Sequence, residues 1–470
     1  MKIAFCSSEV FPFVKTGGLA DVCGALPLAL EKLGIEVSIF LPFYKSIDVT
    51  KFKIEKVAAH VSKTTLGNNI QVYFIANDKY FGRDGIYGNK EGDYPDNLER
   101  FQFFCEQTLE FLNESKWNPD VVHCHDWQTA LIPVYLKERY KKEDVFKNTK
   151  SLLTIHNLAY QGVFPKKEFG KLKLPEELFG LKGFEFFGKI NLLKAGIVYA
   201  DGLNTVSPQY AKEIQTKEFG CGLEGVIGSR KNSVVGILNG LDYTVWNPQV
   251  DPWLEYKYSA GDSLENKRKN KAKLQEKLQL PIREEVPLFG FVGRLTHQKG
   301  IDLILEAIDD LVDLDLQLVI QGIGESKYHT MLDTLNMRYP KDVALCLTFD
   351  EQMAHQIYAG SDLFLMPSTF EPCGLSQMIS LRYGTIPIVY NTGGLTDSIK
   401  EFNSRTQTGN GFLFADYTKA SFVDVVKRAL AIYQNKNQFN QLIANAFTSD
   451  FSWDHSAKEY QKLYQCLPSA

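Results

Sequence analysis

Residues 362–383 read DLFLMPSTFEPCGLSQMISLRY, and the fold is decided by how this stretch is parsed. Leu363, Phe364, Leu365 and Met366 form an unbroken apolar run between Asp362 and Pro367. So short a run, closed by a charge and a proline, reads as a strand buried on both faces, the mark of a parallel sheet. A loop over 368–372 and a helix-period segment from 374 to 383 follow. The loop holds a carboxylate, Glu371, which Pro372 biases toward extended backbone. Gly374 lets the backbone approach a ligand where a helix begins and free N–H groups favour an anion. Two readings of Glu371 stand side by side. It is an acid that complements a helix dipole, or a functional carboxylate at the carboxyl end of a strand, where open α/β sheets bind ligands.

The same order of strand, loop and helix recurs on both sides. Strands are expected at 288–292, 316–320, 344–347 and 386–390, with helical segments between them. Earlier in the chain they are expected at 2–6, 36–41, 120–124, 151–155, 202–206 and 234–238, with two more over 53–76 and helices over an apolar stretch at 160–200. Strands alternating with helices imply parallel sheets with right-handed crossovers. The predicted fold is α/β, two Rossmann-like parallel-sheet domains facing a deep cleft. The first domain is expected over 1–242. An aperiodic stretch at 243–262, with Trp246-Asn247-Pro248 and Asp251-Pro252-Trp253, reads as a linker. The second domain is expected over 263–450, opening with a charged helix from Ser263. The segment 451–470 reads as a terminal helix, with Trp453, Ala457, Tyr460 and Leu463 on one face, packing back on the first domain.

At 470 residues the chain favours two domains over one core. Its 52 Lys and Arg nearly balance 56 Asp and Glu, leaving a net charge of −4. That gives no electrostatic case for nucleic acid or a membrane surface, so any phosphate binding must be local. The eight cysteines include no C-x-x-C pair, and most lie in apolar segments, as in a reducing compartment. The sequence enters its first strand directly after Met-Lys and holds no apolar run of spanning length, so the cytoplasm is expected.

Several loops carry chemistry. After the first expected strand comes Lys15-Thr16-Gly17-Gly18-Leu19-Ala20-Asp21, neither a Walker A motif nor G-x-G-x-x-G. It offers a point charge and a backbone open to a ligand, or is a plain turn with a surface lysine. His125-Asp126-Trp127 and His156-Asn157 place titratable groups just past two further strands, and 234–238 runs into Asn239-Gly240. Arg294 and Lys299 stand five apart across a strand–helix turn. A guanidinium fork and an ammonium there suit a diphosphate, each charged hydrogen bond contributing ~1.5–3 kcal/mol; the alternative is two solvated bases. Thr392-Gly393-Gly394-Leu395-Thr396-Asp397 echoes 16–21. The turn-rich stretch 78–100 carries Tyr80, Phe81, Tyr87 and Tyr94, either a carbohydrate-binding face or anchors for a long loop. The division suits a nucleotide diphosphate on the second domain and a sugar acceptor on the first.

Eight stretches carry a resemblance: KTGGLADV (15–22), YPDNLERF (94–101), VHCHDWQTAL (122–131), TIHNLAYQG (154–162), ILNGLDYTVWNP (237–248), GRLTHQKG (293–300), PSTFEPCGL (367–375) and NTGGLTDS (391–398). On them, in this order over nearly the whole chain, the sequence resembles the bacterial glycogen synthases and plant starch synthases. These are retaining glucosyltransferases of the GT-B fold. The resemblance implies transfer of glucose from ADP-glucose to the non-reducing end of an α-1,4-glucan primer, with release of ADP. No metal or cofactor is implied. It implies catalytic roles for Glu371, His156, Lys299, Arg294 and Asp126. Donor contacts are implied for Lys15, Gly18, Asp21, Asn239, Arg294, Lys299, Cys373, Gly374, Leu375, Ser376, Thr392, Gly393 and Gly394. Tyr94 and Asn157 are implied on the acceptor side.

Four positions depart from the family pattern. Thr369 stands where an arginine is usual, Ile379 where many retaining relatives have a second glutamate, and Tyr390-Asn391 where a basic pair is frequent. The residues leave two other functions to be separated by assay: a related transferase with another donor or a small acceptor, and a non-catalytic glucan-binding protein. A glycosidase fits least, because no second candidate carboxylate pairs with Glu371.

Overall fold

A computed structural model describes residues 1–230, 234–262 and 264–468. The chain forms two compact units, Met1–Gly240 with Trp453–Ala470, and Leu241–Ser452.

The second unit is built on six parallel strands. Their order is Val343–Cys346, Gln317–Gln321, Leu288–Val292, Leu363–Met366, Ile386–Tyr390, Phe412–Phe414. The apolar run Leu363–Met366 is buried along its whole length, with Phe289 and Ile386 as the neighbours of Leu363 in register. Helices cover both faces, as a strand apolar on both sides requires. The helix after this strand is Ser376–Arg382, two residues later than the sequence indicates, because Gly374 takes a φ of +73° and holds the chain in a turn. Phe412–Phe414 was not expected; three residues are too few to show a period.

Residues 243–262, expected as a linker, belong to this second unit. The buried Asp251 carboxylate accepts a 2.5 Å hydrogen bond from the Tyr383 hydroxyl and lies 2.7 Å from His355 Nδ1. The Trp246 ring stacks on His355 at 4.1 Å, and Tyr258 donates to the Tyr383 carbonyl. Discrete polar and aromatic contacts fix this stretch, and these leave no periodic trace in sequence. Ser263, the expected start of the next helix, lies outside the described residues, as do Ser469 and Ala470; the described helix is Glu265–Lys277.

The first unit holds a nine-stranded sheet. Its order is Val234–Gly236, Gly202–Thr205, Lys150–Ile155, Val121–His125, Lys2–Cys6, Glu36–Pro42, Ile70–Ile75, Val61–Leu66, Glu55–Ala58. Pairing is parallel up to Ile70–Ile75 and antiparallel beyond it. The stretch 53–76 thus yields three strands rather than two. The helices expected over 160–200 are largely absent. Short 3₁₀ turns and an antiparallel ribbon of Val163–Pro165, Lys189–Asn191 and Glu185–Phe186 precede one helix, Leu192–Tyr199. Pro165, Pro175, Gly180, Gly183 and Gly188 interrupt the stretch before a long helix can form.

The terminal helix, Trp453–Cys466, is part of this first unit. Trp453, Ala457, Tyr460 and Tyr464 are buried, with Tyr464 rather than Leu463 as the deepest residue of its last turn. Ser456 donates to the Leu238 carbonyl, and Tyr460 and Tyr464 reach the polar interior described below. No disulfide joins any of the eight cysteines. Among the described residues no helix is long and apolar enough to cross a membrane.

Candidate active site

In the second unit, the loops after three adjacent strands meet around 367–375. The Thr369 N–H donates to the Gln298 carbonyl (3.0 Å), and the Gln298 amide returns a bond to the Phe370 carbonyl (3.1 Å). Gly300 packs so tightly that a Cβ there would lie 1.9 Å from the Pro367 carbonyl oxygen. The Gly394 N–H donates to the Glu371 carbonyl (3.0 Å), and a Cβ on Gly394 would lie 2.1 Å from the Cys373 carbonyl oxygen. Gly394, singled out in sequence, and Gly300, which the sequence does not mark, therefore both serve close backbone approach between loops.

At the centre, Lys299 Nζ is 2.5 Å from Glu371 Oε2, with the side chains only 20% and 9% exposed. Glu371 is not the acid of the helix that follows: that helix starts at Ser376, and its N-cap, Leu375, makes no side-chain bond. Its carboxylate is committed to a lysine from a loop 72 positions away. Arg294 differs from Lys299. Its guanidinium is exposed, with no hydrogen-bond partner among the described residues.

The remaining second-unit residues line the same turn. Cys373 and Gly374 are buried and Leu375 is half-buried. The Ser376 hydroxyl bonds to Tyr358. Gly393 opens the helix Gly393–Ser398, and Thr392 is buried with its Oγ1 unpartnered among the described residues. Gln377, not singled out in sequence, ties the turn together: its amide donates to Cys373 O, Gly374 O and Ser398 Oγ, each at 3.0 Å. No spacing rule marks such a residue.

In the first unit, Lys15 pairs with Asp21 at 2.7 Å near the surface, and Gly18 opens the helix Gly18–Lys32. The loop is held by a residue the sequence does not mark, Glu9. Its buried carboxylate accepts from the Thr16 N–H (2.5 Å), the Thr16 hydroxyl (2.6 Å), the Gly17 N–H (3.3 Å) and the Tyr87 hydroxyl (2.6 Å). Tyr87, from the aromatic stretch, thus braces the Lys15 loop. Phe81 is buried outright. Tyr94 is half-buried; its ring carries the Arg83 and Arg100 guanidiniums at 5.0 and 4.9 Å, and its hydroxyl bonds to the Asp84 carbonyl. These rings anchor the loop rather than form an open stacking face. Asn239 is buried, with its Oδ1 unpartnered among the described residues.

Asp126 follows the strand Val121–His125 with a left-handed φ of 57°, uncommon for a non-glycine residue. Its carboxylate turns inward and accepts from the backbone N–H groups of His156 (2.7 Å) and Asn157. The Asn157 Oδ1 accepts from the Ala159 N–H. Asp126 therefore holds the backbone of the 156–157 turn. The His156 ring meets the His125 ring, Nε2 to Nδ1 at 2.8 Å, and burial holds its imidazole down at about 3, so it is neutral.

Burial pushes the Asp126 carboxyl up to about 7, against the pull of the two N–H groups. An acid raised in the folded state binds more protons folded than unfolded between about pH 4 and about pH 7, so its contribution to stability falls as pH rises through that window. Asp126→Asn keeps an acceptor oxygen and removes the titration. Its melting temperature relative to the parent is expected to rise from about pH 4 to about pH 8. A flat or falling difference would show that Asp126 ionises without penalty.

The family model for the starch synthase catalytic domain matches residues 2–229, and that for group 1 glycosyl transferases matches 272–447. The glycogen synthase of Thermotoga maritima is 44% identical over 484 residues, covering 99% of this chain and 98% of that protein. That of Thermosipho melanesiensis is 45% identical over 479 residues, with the same coverage. The chain belongs to the glycogen and starch synthase family. It is, with that family, a hexosyltransferase. The catalytic domain of starch synthase IV from Arabidopsis thaliana, solved bound to ADP and acarbose, superposes with a TM-score of 0.89 at 33% identity, covering 99% of this chain and 98% of that one. The architecture is GT-B. A sucrose-phosphate synthase from Thermosynechococcus elongatus shares the fold alone, at TM-score 0.63 and 17% identity.

Proposed function

We propose that the chain transfers glucose from ADP-glucose to the non-reducing end of an α-1,4-glucan, with retention of anomeric configuration and release of ADP. The observation that carries this reading is the Lys299–Glu371 pair, set beside the exposed Arg294 in a chain of this family. Breaking a glucosyl–phosphate bond makes an oxocarbenium-like sugar and a highly charged leaving group, and a preorganised site must meet both charges.

Arg294 and Lys299 offset the charge on the departing diphosphate, and the reading requires no metal ion in that role. Backbone and hydroxyl groups of 373–376 and 392–394 seat the donor, and Lys15, Gly18, Asp21 and Asn239 are read as donor contacts as well. Glu371 orients the glucose and faces its developing positive charge. A carboxylate paired to an ammonium at 2.5 Å is a poor nucleophile. That favours front-face transfer, in which the leaving phosphate oxygen takes the proton of the acceptor hydroxyl, over a covalent glycosyl–enzyme. His156 contacts the glucose, and Asp126 acts through the turn that carries His156. Asn157 takes the acceptor side, and Tyr94 shapes the loop beside it. The reducing cytoplasm suits eight cysteines without a disulfide.

Donor and acceptor comparison tests the reading. Product release is expected to be faster from ADP-glucose than from UDP-glucose, and to need glycogen in place of free glucose. Equal use of UDP-glucose would overturn the donor assignment, and equal use of glucose the acceptor assignment.

A further inference from the structure

A row of histidines lies under the His156 turn, and the roles given above to the site do not use two of them. His123 and His125 are both fully buried, with ring centroids 4.1 Å apart. The protons on His123 are fixed by its partners. The Thr154 hydroxyl donates to Asn204 Oδ1, which can only accept (2.5 Å), so Thr154 Oγ1 must accept from His123 Nε2–H (2.5 Å). His123 Nδ1 then accepts from the Tyr464 hydroxyl (2.9 Å). Both nitrogens of His123 are occupied, so it offers nothing to His125.

His125 has one polar contact for its ring, Nδ1 to His156 Nε2 at 2.8 Å; its Nε2 is buried without a partner among the described residues. Burial pushes both imidazoles down, so both are neutral and each carries one proton. Two arrangements satisfy the contact. If His156 donates, the proton of His125 sits on Nε2 as a buried N–H with no acceptor. If His125 donates, its Nε2 is a buried bare lone pair, in a ring that packs on Phe5 with centroids 4.3 Å apart. An orphaned buried N–H is the costlier and rarer of the two.

We propose that His125 is a positioning residue whose Nδ1–H fixes His156 in the tautomer protonated on Nδ1, so that His156 presents an N–H donor to a sugar oxygen. This rests on the reading of His156 as a glucose contact. Two neighbours in sequence then share the placing of His156. Asp126 holds the backbone of the turn, and His125 sets the proton on the ring. The Nδ1–H of His156 donates to a sugar hydroxyl oxygen and leaves that hydroxyl's own proton directed elsewhere. An acceptor nitrogen at the same place would demand the opposite orientation.

The test uses full-length protein with ¹⁵N-labelled histidine, read by long-range ¹H–¹⁵N correlation near neutral pH, with His156→Gln to assign the signal. His156 is expected to show a protonated Nδ1 and a bare Nε2. His125→Phe keeps a ring and removes the donor. It is expected to shift His156 toward the Nε2–H form and to lower kcat by about tenfold, the loss of one hydrogen bond in the transition state. His125→Asn, whose amide N–H overlays the imidazole Nδ1–H, is expected to restore both. A bare Nδ1 on His156 in the parent, or an unchanged tautomer in a folded His125→Phe, would overturn the proposal. A shifted tautomer with unchanged kcat would uphold the link between the two rings and overturn instead the placing of His156 on the sugar.

Discussion

Glu371→Gln is expected to lower kcat by ~10²-fold or more with ADP-glucose and glycogen. The substitution keeps the shape of the side chain and an oxygen for Lys299, and it removes only the charge. In the folded protein that charge sits 2.5 Å from the Lys299 ammonium and is nearly buried, so water cannot replace it as the sugar becomes positive. Stability changes less. An amide oxygen still accepts from Lys299, and the lost charge assistance amounts to about 1–2 kcal/mol, a shift of a few degrees in melting temperature. Steady-state kinetics beside a thermal melt checks both. A fall of less than tenfold in a folded variant would reduce Glu371 to a residue that merely seats Lys299.

Lys299→Ala and Arg294→Ala are expected to lose comparable activity and to differ sharply in stability. On the proposed roles each removes one positive group from the leaving diphosphate, and turnover is expected to fall by ~10²-fold or more in either. Lys299→Ala also strands the Glu371 carboxylate, a buried charge without its partner, which destabilises by about 3–5 kcal/mol. Arg294 is exposed and unpartnered among the described residues, so its removal is expected to stay within about 0.5 kcal/mol. Adding Glu371→Gln to Lys299→Ala is expected to recover much of the lost stability and none of the activity. A double-mutant cycle by chemical denaturation separates the pair's structural contribution from its chemistry. Equal stability of the two single variants would show that the Lys299–Glu371 pair is solvated.

The strands at the heart of each sheet were readable because burial on both faces leaves unbroken apolar runs; Leu363–Met366 and Ile386–Tyr390 stand where the sequence puts them. Glu371, Lys299 and Arg294 were each readable as charges at strand ends. That Lys299 and Glu371 form one pair was not, because the sheet brings together loops 72 residues apart. Glu9 shows the same limit: its partner Tyr87 is 78 residues away, and a lone acid after a strand carries no signature. His125 is one residue from Asp126, yet its role is set by the next strand over. Residues 243–262 misled for a related reason, since Asp251 and Trp246 are fixed by His355 and Tyr383 far downstream.

On the proposed reading, this chain moves glucose from ADP-glucose onto the end of a glucan through the Lys299–Glu371 site. Radiolabelled ADP-glucose and a glycogen primer, followed by digestion with an α-1,4-specific exo-hydrolase acting from non-reducing ends, test it most directly. The expected result is one ADP released per glucose incorporated, with the label leaving in the first products of digestion, and both lost in Lys299→Ala. ADP release without incorporation, label that resists the exo-hydrolase, or undiminished incorporation by Lys299→Ala would contradict it.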